Sequence, residues 1–241
     1  MPASGTRINK YLADQNICSR REAEQLVLKG WIQVNGKVLS DLAYRVQPND
    51  KVEVSPHASS FIDKKKTVII NKPVGYVSAQ AEKDYTPAIR LIQKENYGGK
   101  GRPPHFELNG LAPAGRLDID SKGLLILTQD GRLAKKIIGE DSSIDKEYLV
   151  RVDGKATEAV VRKLCHGLSL DGKKLKPAEV SFKSPQELRF ILKEGRKRQI
   201  RRMCELVGLK VTSLKRVRIG QLRLKDLKEG QWRLLEDDEV I

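Results

Sequence analysis

Residues 115–131 read Gly-Arg-Leu-Asp-Ile-Asp-Ser-Lys-Gly-Leu-Leu-Ile-Leu-Thr-Gln-Asp-Gly. The stretch opens as a polar, charged loop carrying Arg116, Asp118, Asp120, Ser121 and Lys122, then becomes an apolar strand over 124–127. Gln129-Asp130-Gly131 closes it as a turn. A loop anchored by a rigid strand is where catalytic side chains tend to sit. Arg116 and Asp118 lie two residues apart, so in an extended segment both face the same way. Taken alone, an Asp followed by Ser and Gly reads as a turn or cap residue.

The flanking chain supplies the rest of a domain. Upstream, 67–71 (Thr-Val-Ile-Ile-Asn) is a buried strand that ends at Lys72-Pro73-Val74-Gly75. Between the two strands, 93–113 is rich in Gly and Pro, a long loop of the kind that is functional or disordered. Its glycines match neither a dinucleotide fingerprint nor a Walker loop, since no strand leads in and no Gly-Lys-Ser/Thr follows. Downstream, the patterning predicts a helix at 132–139, a strand at 147–152 and a helix at 157–166. Strands at 179–183 and 188–192 follow, then a helix at 196–207 stopped by Gly208, and strands at 211–219 and 232–235. Strands outnumber helices without strict alternation, which predicts an α+β domain with a mixed or antiparallel sheet flanked by helices.

The N-terminal part reads as a separate module. A short helix over 7–14 is followed by Ser19-Arg20-Arg21-Glu22, a capping box opening a second helix that Gly30 ends. Residues 31–34 alternate as a strand, Asn35-Gly36 makes a hairpin turn, and 48–50 turn the chain into 51–54. Residues 56–66 contain no periodicity and read as a linker. The division expected is 1–55, a linker at 56–66, and 67–241.

Composition narrows the chemistry. The chain has 241 residues and a net charge of +15. Its basic excess is concentrated: 193–225 hold twelve Lys or Arg and two Glu, whereas 226–241 hold two basic and six acidic residues. A localised basic segment is the electrostatic footprint of a polyphosphate partner. No apolar run approaches the ~18 residues needed to span a bilayer, and the opening Met-Pro-Ala-Ser-Gly-Thr-Arg lacks the apolar core of a signal peptide. Three scattered cysteines and three scattered histidines show neither a disulfide framework nor metal-ligand spacing. A cytoplasmic monomer with no metal and no small-molecule cofactor is expected.

Two further stretches stand out. Residues 194–204 are Glu-Gly-Arg-Lys-Arg-Gln-Ile-Arg-Arg-Met-Cys, and four of the seven residues 196–202 are Arg. On a helix, Ile200, Met203, Cys204 and Val207 share one face and Arg198, Arg201 and Arg202 another. The bland reading is a solvated surface; opening a helix, however, the arginines would meet an anion together with free backbone N–H groups. Tyr148, in Lys-Glu-Tyr-Leu-Val at 146–150, is a half-buried strand tyrosine on physical grounds alone.

The run Gly-Arg-Leu-Asp-x-x-Ser-x-Gly-Leu-Leu at 115–125 resembles the catalytic loop of pseudouridine synthases. Gly-Arg-x-x-Gln-Ile-Arg at 195–201 resembles a second motif of that family, Tyr148 a third, and Lys72-Pro73 with Gly75 a fourth. Residues 7–39 resemble the S4-type RNA-binding domain. Together they place the chain close to the RsuA/RluF branch, and within it to the members that act on large-subunit ribosomal RNA. The resemblance implies isomerisation of a uridine, in which the glycosidic N–C bond breaks, the base turns and a C–C bond forms. Asp118 would be the catalytic carboxylate, Arg201 its ion-pair partner, and Tyr148 the ring stacked on the uracil. Ile200 would pack near the base and Arg116 would fill the space it vacates. Arg198, Arg202, Lys72, Arg7, Lys10, Arg20 and Arg21 would contact RNA. Small-subunit ribosomal RNA or tRNA as the target stays open. So does a non-catalytic ribosome-assembly protein; an RNA methyltransferase finds no glycine-rich cofactor loop to support it.

Overall fold

The computed structural model describes residues 5–79, 84–139 and 142–241; the opening residues 1–4 read above for a signal peptide lie outside them. The N-terminal module begins with β1 (Thr6–Arg7), α1 (Ile8–Asp14) and α2 (Arg20–Leu28). It continues through β2 (Ile32–Val34), β3 (Lys37–Val38), β4 (Arg45–Val46) and β5 (Val52–Val54). The capping box at the start of α2 is complete: Ser19 Oγ accepts from Glu22 N, and the Glu22 carboxylate accepts from Ser19 N at 2.7 Å. Ile8, Leu12, Ala23, Leu26 and Ile32 close a core of their own.

The stretch expected to be a linker is instead a helix, α3 (Pro56–Asp63), with Pro56 at its first turn. Ala58 and Ile62 are buried in the module's core, and Phe61 packs edge-on against Trp31 at 5.7 Å between ring centroids. The signal missed was the apolar spacing of Ala58, Phe61 and Ile62 behind a helix-starting Ser-Pro.

The second domain runs from β6 (Thr67–Lys72) through β7 (Ala112–Pro113), β8 (Lys122–Thr128), α4 (Gly131–Ile138) and β9 (Lys146–Asp153) to α5 (Glu158–Cys165). There follow β10 (Ser169–Leu170), β11 (Lys173–Lys174), β12 (Glu179–Ser184), β13 (Glu187–Leu192), α6 (Gln199–Leu206), β14 (Lys210–Ile219), β15 (Leu222–Arg223) and β16 (Trp232–Leu234). One sheet of nine strands has the order β12-β13-β9-β14-β8-β6-β16, with β15 and β7 added on β14 and β8. All its pairs are antiparallel except β14 with β8, so the sheet is mixed, as the unalternating pattern of elements predicts.

Strand β8 lies inside this sheet. Leu124 and Ile126 face one apolar cluster and Leu125 and Leu127 the other, all essentially without exposure. A strand covered on both faces shows a continuous apolar run instead of an alternating one. Gly123 is required where β8 meets β14: its φ is +105°, and a Cβ there would overlap the Arg216 backbone. The module touches the second domain at Gly131, where a Cβ would overlap the Ser19 side chain.

Candidate active site

The charged loop of the opening motif joins β7 to β8 and is gripped from several sides. Ser78 Oγ accepts from Leu117 N at 2.8 Å and donates to Leu117 O at 2.7 Å, closing both backbone groups of one residue. Gly75 N donates to Ile119 O, and Ser121 N to Asp118 O. From below, the buried Arg216 donates to Leu124 O at 2.8 Å and to Arg116 O at 3.2 Å. From α6, Arg201 Nη2 donates to Asp120 O at 2.8 Å. A loop tied at so many backbone atoms presents its side chains in one arrangement.

The result is an open pocket of about 630 Å³, within the range of small-ligand sites and sufficient for a nucleoside. Arg116, Asp118, Tyr148, Arg198, Ile200 and Arg201 all line it. These six were singled out in the sequence, from three segments spread over residues 116–201, and the fold brings them together. Tyr148 comes from the middle of β9, half-buried between two apolar clusters. Ile200 is anchored in the larger of them.

Several sequence expectations are corrected. Arg201 pairs with Asp120, not Asp118: its Nε lies 3.3 Å from Asp120 Oδ2, while the Asp118 carboxylate accepts no hydrogen bond from the described residues. The helix begins at Gln199, not 196, because Arg198 takes a left-handed conformation with φ +52° and breaks the helical run. Such a conformation in a bulky residue is uncommon and is found most often at functional sites. The three arginines therefore do not form one face. Arg198 reaches Asp120 Oδ2 at 3.0 Å, Arg201 turns inward, and Arg202 is held by both carboxylate oxygens of Asp171 at 2.6 and 2.9 Å, away from the pocket lining.

Lys72 is also corrected. It is fully buried and donates to Pro73 O at 2.7 Å and Tyr76 O at 2.8 Å, so it cannot reach RNA. Burial pulls its pKa down to about 8 against the attraction of Asp120 and Asp118. Its cation tethers the turn beside the Asp118 loop.

The reading of 193–225 passed over two residues that the structure brings forward. Gln199, buried, accepts from Arg196 N and donates to Glu194, fastening the turn that precedes α6. Arg216 supports the loop from beneath. Arg216 was hidden within a basic run whose members look alike in sequence, and Gln199 stood in the Gly-Arg-x-x-Gln-Ile-Arg motif without a role of its own. The long loop 93–111 is ordered: Trp232 Nε1 donates to Gln93 O at 2.7 Å, and Tyr97 and Phe106 pack on its ring. Tyr97, Phe106 and Leu111 join the apolar cluster that holds Leu117, so this loop backs the catalytic loop and covers edge strand β16.

In the N-terminal module, Arg7, Lys10 and Arg20 line a hollow of about 330 Å³ together with Arg45; Arg21 is exposed but does not line it.

A family model for RNA pseudouridylate synthases matches residues 66–206. The chain belongs to that family. A model for the S4 domain matches residues 6–52. The dual-specificity RNA pseudouridine synthase RluF of Escherichia coli (strain K12) is 36% identical over 243 residues, covering 100% of this chain and 79% of its own. The ribosomal large subunit pseudouridine synthase B of Bacillus subtilis (strain 168) is 33% identical over 246 residues, covering 97% and 93%. A solved pseudouridylate synthase shares the fold with a TM-score of 0.65 at 24% identity, over 96% of both chains. This RNA pseudouridine synthase therefore converts uridine to pseudouridine in an RNA. No described helix is long and apolar enough to cross a membrane.

Proposed function

We propose that this enzyme isomerises a uridine of large-subunit ribosomal RNA, acting as a cytoplasmic monomer, with Asp118 as its catalytic carboxylate. The observation that carries the assignment of Asp118 is its placement: it lines a nucleoside-sized pocket together with Tyr148 and Ile200, on a loop fixed at Leu117, and its carboxylate has no hydrogen-bond partner among the described residues. The large-subunit target rests on the names of the relatives above.

Access to the pocket requires the uridine to leave its stack, at a cost of a few kcal/mol. Tyr148 and Ile200 offer the extruded base an aromatic ring and an apolar wall. Exposed Arg116 stands at the rim, placed to fill the vacated position. Asp118 then acts either as nucleophile on the base or the sugar or as base taking a proton from the ribose, so that the glycosidic N–C bond breaks, the base turns and the C–C bond forms. Arg7, Lys10, Arg20, Arg21 and Arg45 of the module add backbone contacts away from the pocket, and Arg198 adds one beside it.

The test is tritium release from uridine-5-labelled large-subunit ribosomal RNA with no added cofactor. Release by the wild type and none by Asp118→Asn, with RNA affinity kept within about tenfold, is expected because backbone contacts supply most of the affinity. Turnover by a clean Asp118→Asn preparation would remove Asp118 as the catalyst. Release only from small-subunit RNA or tRNA would keep the chemistry and overturn the target.

A further inference from the structure

We infer that Asp120 is an internal stand-in for an RNA phosphate: its carboxylate occupies Arg198 in the RNA-free enzyme and gives way when the target strand docks. The inference rests on the reading that the adjoining pocket receives a uridine of RNA. Asp120 Oδ2 is 3.0 Å from Arg198 Nη1 and 3.3 Å from Arg201 Nε. The Asp120 and Arg198 side chains remain 40% and 41% exposed, whereas that of Arg201 is only 10% exposed. An incoming anion can therefore reach the outer half of this triad, while the inner half is already shielded.

The triad is also incompletely satisfied. Asp120 Oδ1 and Arg201 Nε are buried without a hydrogen-bond partner, as is Ser121 Oγ beside them. Of these, Arg201 Nε and Ser121 Oγ are donors that an anion such as phosphate can accept from. Arg201 does not depend on the Asp120 carboxylate for its position, since its Nη atoms donate to the backbone oxygens of Asp120 and Val211. Arg198 has no comparable anchor. Its left-handed backbone points it across the mouth of the pocket to Asp120, and no side chain caps the helix that follows it.

Carboxylate and phosphate offer a guanidinium the same planar pair of acceptors. An exposed pair such as Arg198–Asp120 contributes little stability, so exchanging one anion for the other is inexpensive and leaves Arg198 paired throughout. Asp120 thereby holds Arg198 in place before RNA arrives.

The experiment measures binding, not turnover, so it reads out whether or not the isomerase assignment holds. A fluorescent oligouridylate is titrated by anisotropy across a salt series, in the Asp118→Asn background. Asp120→Asn is expected to tighten binding by about two- to fivefold, the range of an exposed ion pair. It is also expected to steepen the salt dependence by up to about 0.7, the contribution of one more neutralised phosphate on a single strand. The gain should vanish when Arg198→Gln is added. Asp120→Ser, equally neutral, carries the same expectation if the first variant folds poorly. Unchanged or weaker binding would overturn the inference. So would a gain that persists without Arg198, because that would be a general effect of removing a negative charge.

Discussion

Ser78→Ala removes one oxygen atom and should cripple the enzyme. That oxygen is the partner of both Leu117 N, at 2.8 Å, and Leu117 O, at 2.7 Å. Ser78 and Leu117 are each only 6% exposed, so water does not readily replace it. Leaving a buried backbone donor or acceptor unpaired costs about 1–3 kcal/mol; for the two together roughly 2–6 kcal/mol is expected, a large part of a typical domain's stability. Leu117 lies between Arg116 and Asp118, so relaxation of its peptide groups moves both. A misplacement of about 1 Å costs about 10²-fold in rate. Urea unfolding should show a lower midpoint with an unchanged slope, and tritium release should show kcat down by roughly 10–100-fold with KM nearly preserved, since the RNA contacts lie elsewhere. A folded Ser78→Ala enzyme that turns over within twofold of wild type would refute the view that Leu117 positions Asp118.

Gly123→Ala should cost about 3 kcal/mol, because its φ of +105° suits no L side chain and a Cβ would push β8 off Arg216; calorimetry should show Tm lowered by roughly 6–12 °C. Glu147 is held by Arg189 at 2.8 Å and Arg218 at 2.8 Å, and first Arg189, then Arg218, lower its pKa to about 2. The stability this provides is complete above the unfolded value of about 4.5 and is lost as pH falls from there through about 2. The difference in unfolding free energy between wild type and Glu147→Gln, up to about 3 kcal/mol, should therefore shrink across that window, and a constant difference would contradict the ion pairing. Trp232→Ala removes the ring that seats Tyr97 and Phe106; limited proteolysis within 98–105 should accelerate and kcat should fall, whereas an unchanged digestion pattern would show that the loop holds itself.

The sequence was most informative where one physical cause dominates. The apolar run 124–127, the capping box at Ser19 and the Asn35-Gly36 turn each depend on local burial, a local hydrogen bond or a local φ, and each is found where expected. The pocket residues were visible through motif resemblance, and the fold gathers six of them. What was not legible depends on contacts distant in sequence. Ser78 looks like an ordinary loop serine until Leu117 is seen against it. Lys72 looks like an exposed cation until the turn folds over its ammonium group. Arg202 looks like a neighbour of Arg201 until Asp171, thirty-one residues away, claims it. In a segment with twelve cations, residue type cannot tell which ones face solvent, which brace a backbone and which meet a carboxylate.

The two aspartates of the catalytic loop divide the work by position. Both precede β8, two residues apart, and both attract the buried Lys72. Asp120 gathers the arginines and Asp118 none. A carboxylate whose Oδ2 is engaged by two guanidinium groups is held in place by them and is poorly placed to turn toward a substrate. One held by its backbone alone, at the wall of a pocket, is free to do so. The expectation that Arg201 pairs with the catalytic carboxylate would give Asp118 the role this fold assigns to Asp120. Arg201, fixed by the backbone oxygens of Asp120 and Val211, lines the same pocket as Asp118 and ties down the loop that carries it. Arg201→Gln should therefore lower kcat by releasing the Asp120 carbonyl and loosening the loop beside Asp118, while leaving KM nearly unchanged. Arg198→Gln should do the reverse, raising KM with kcat largely kept, because its partner is an anion at the mouth and not the reacting atom. The two substitutions, assayed side by side by tritium release, distinguish this arrangement from one in which both arginines serve RNA affinity alone, where both would raise KM.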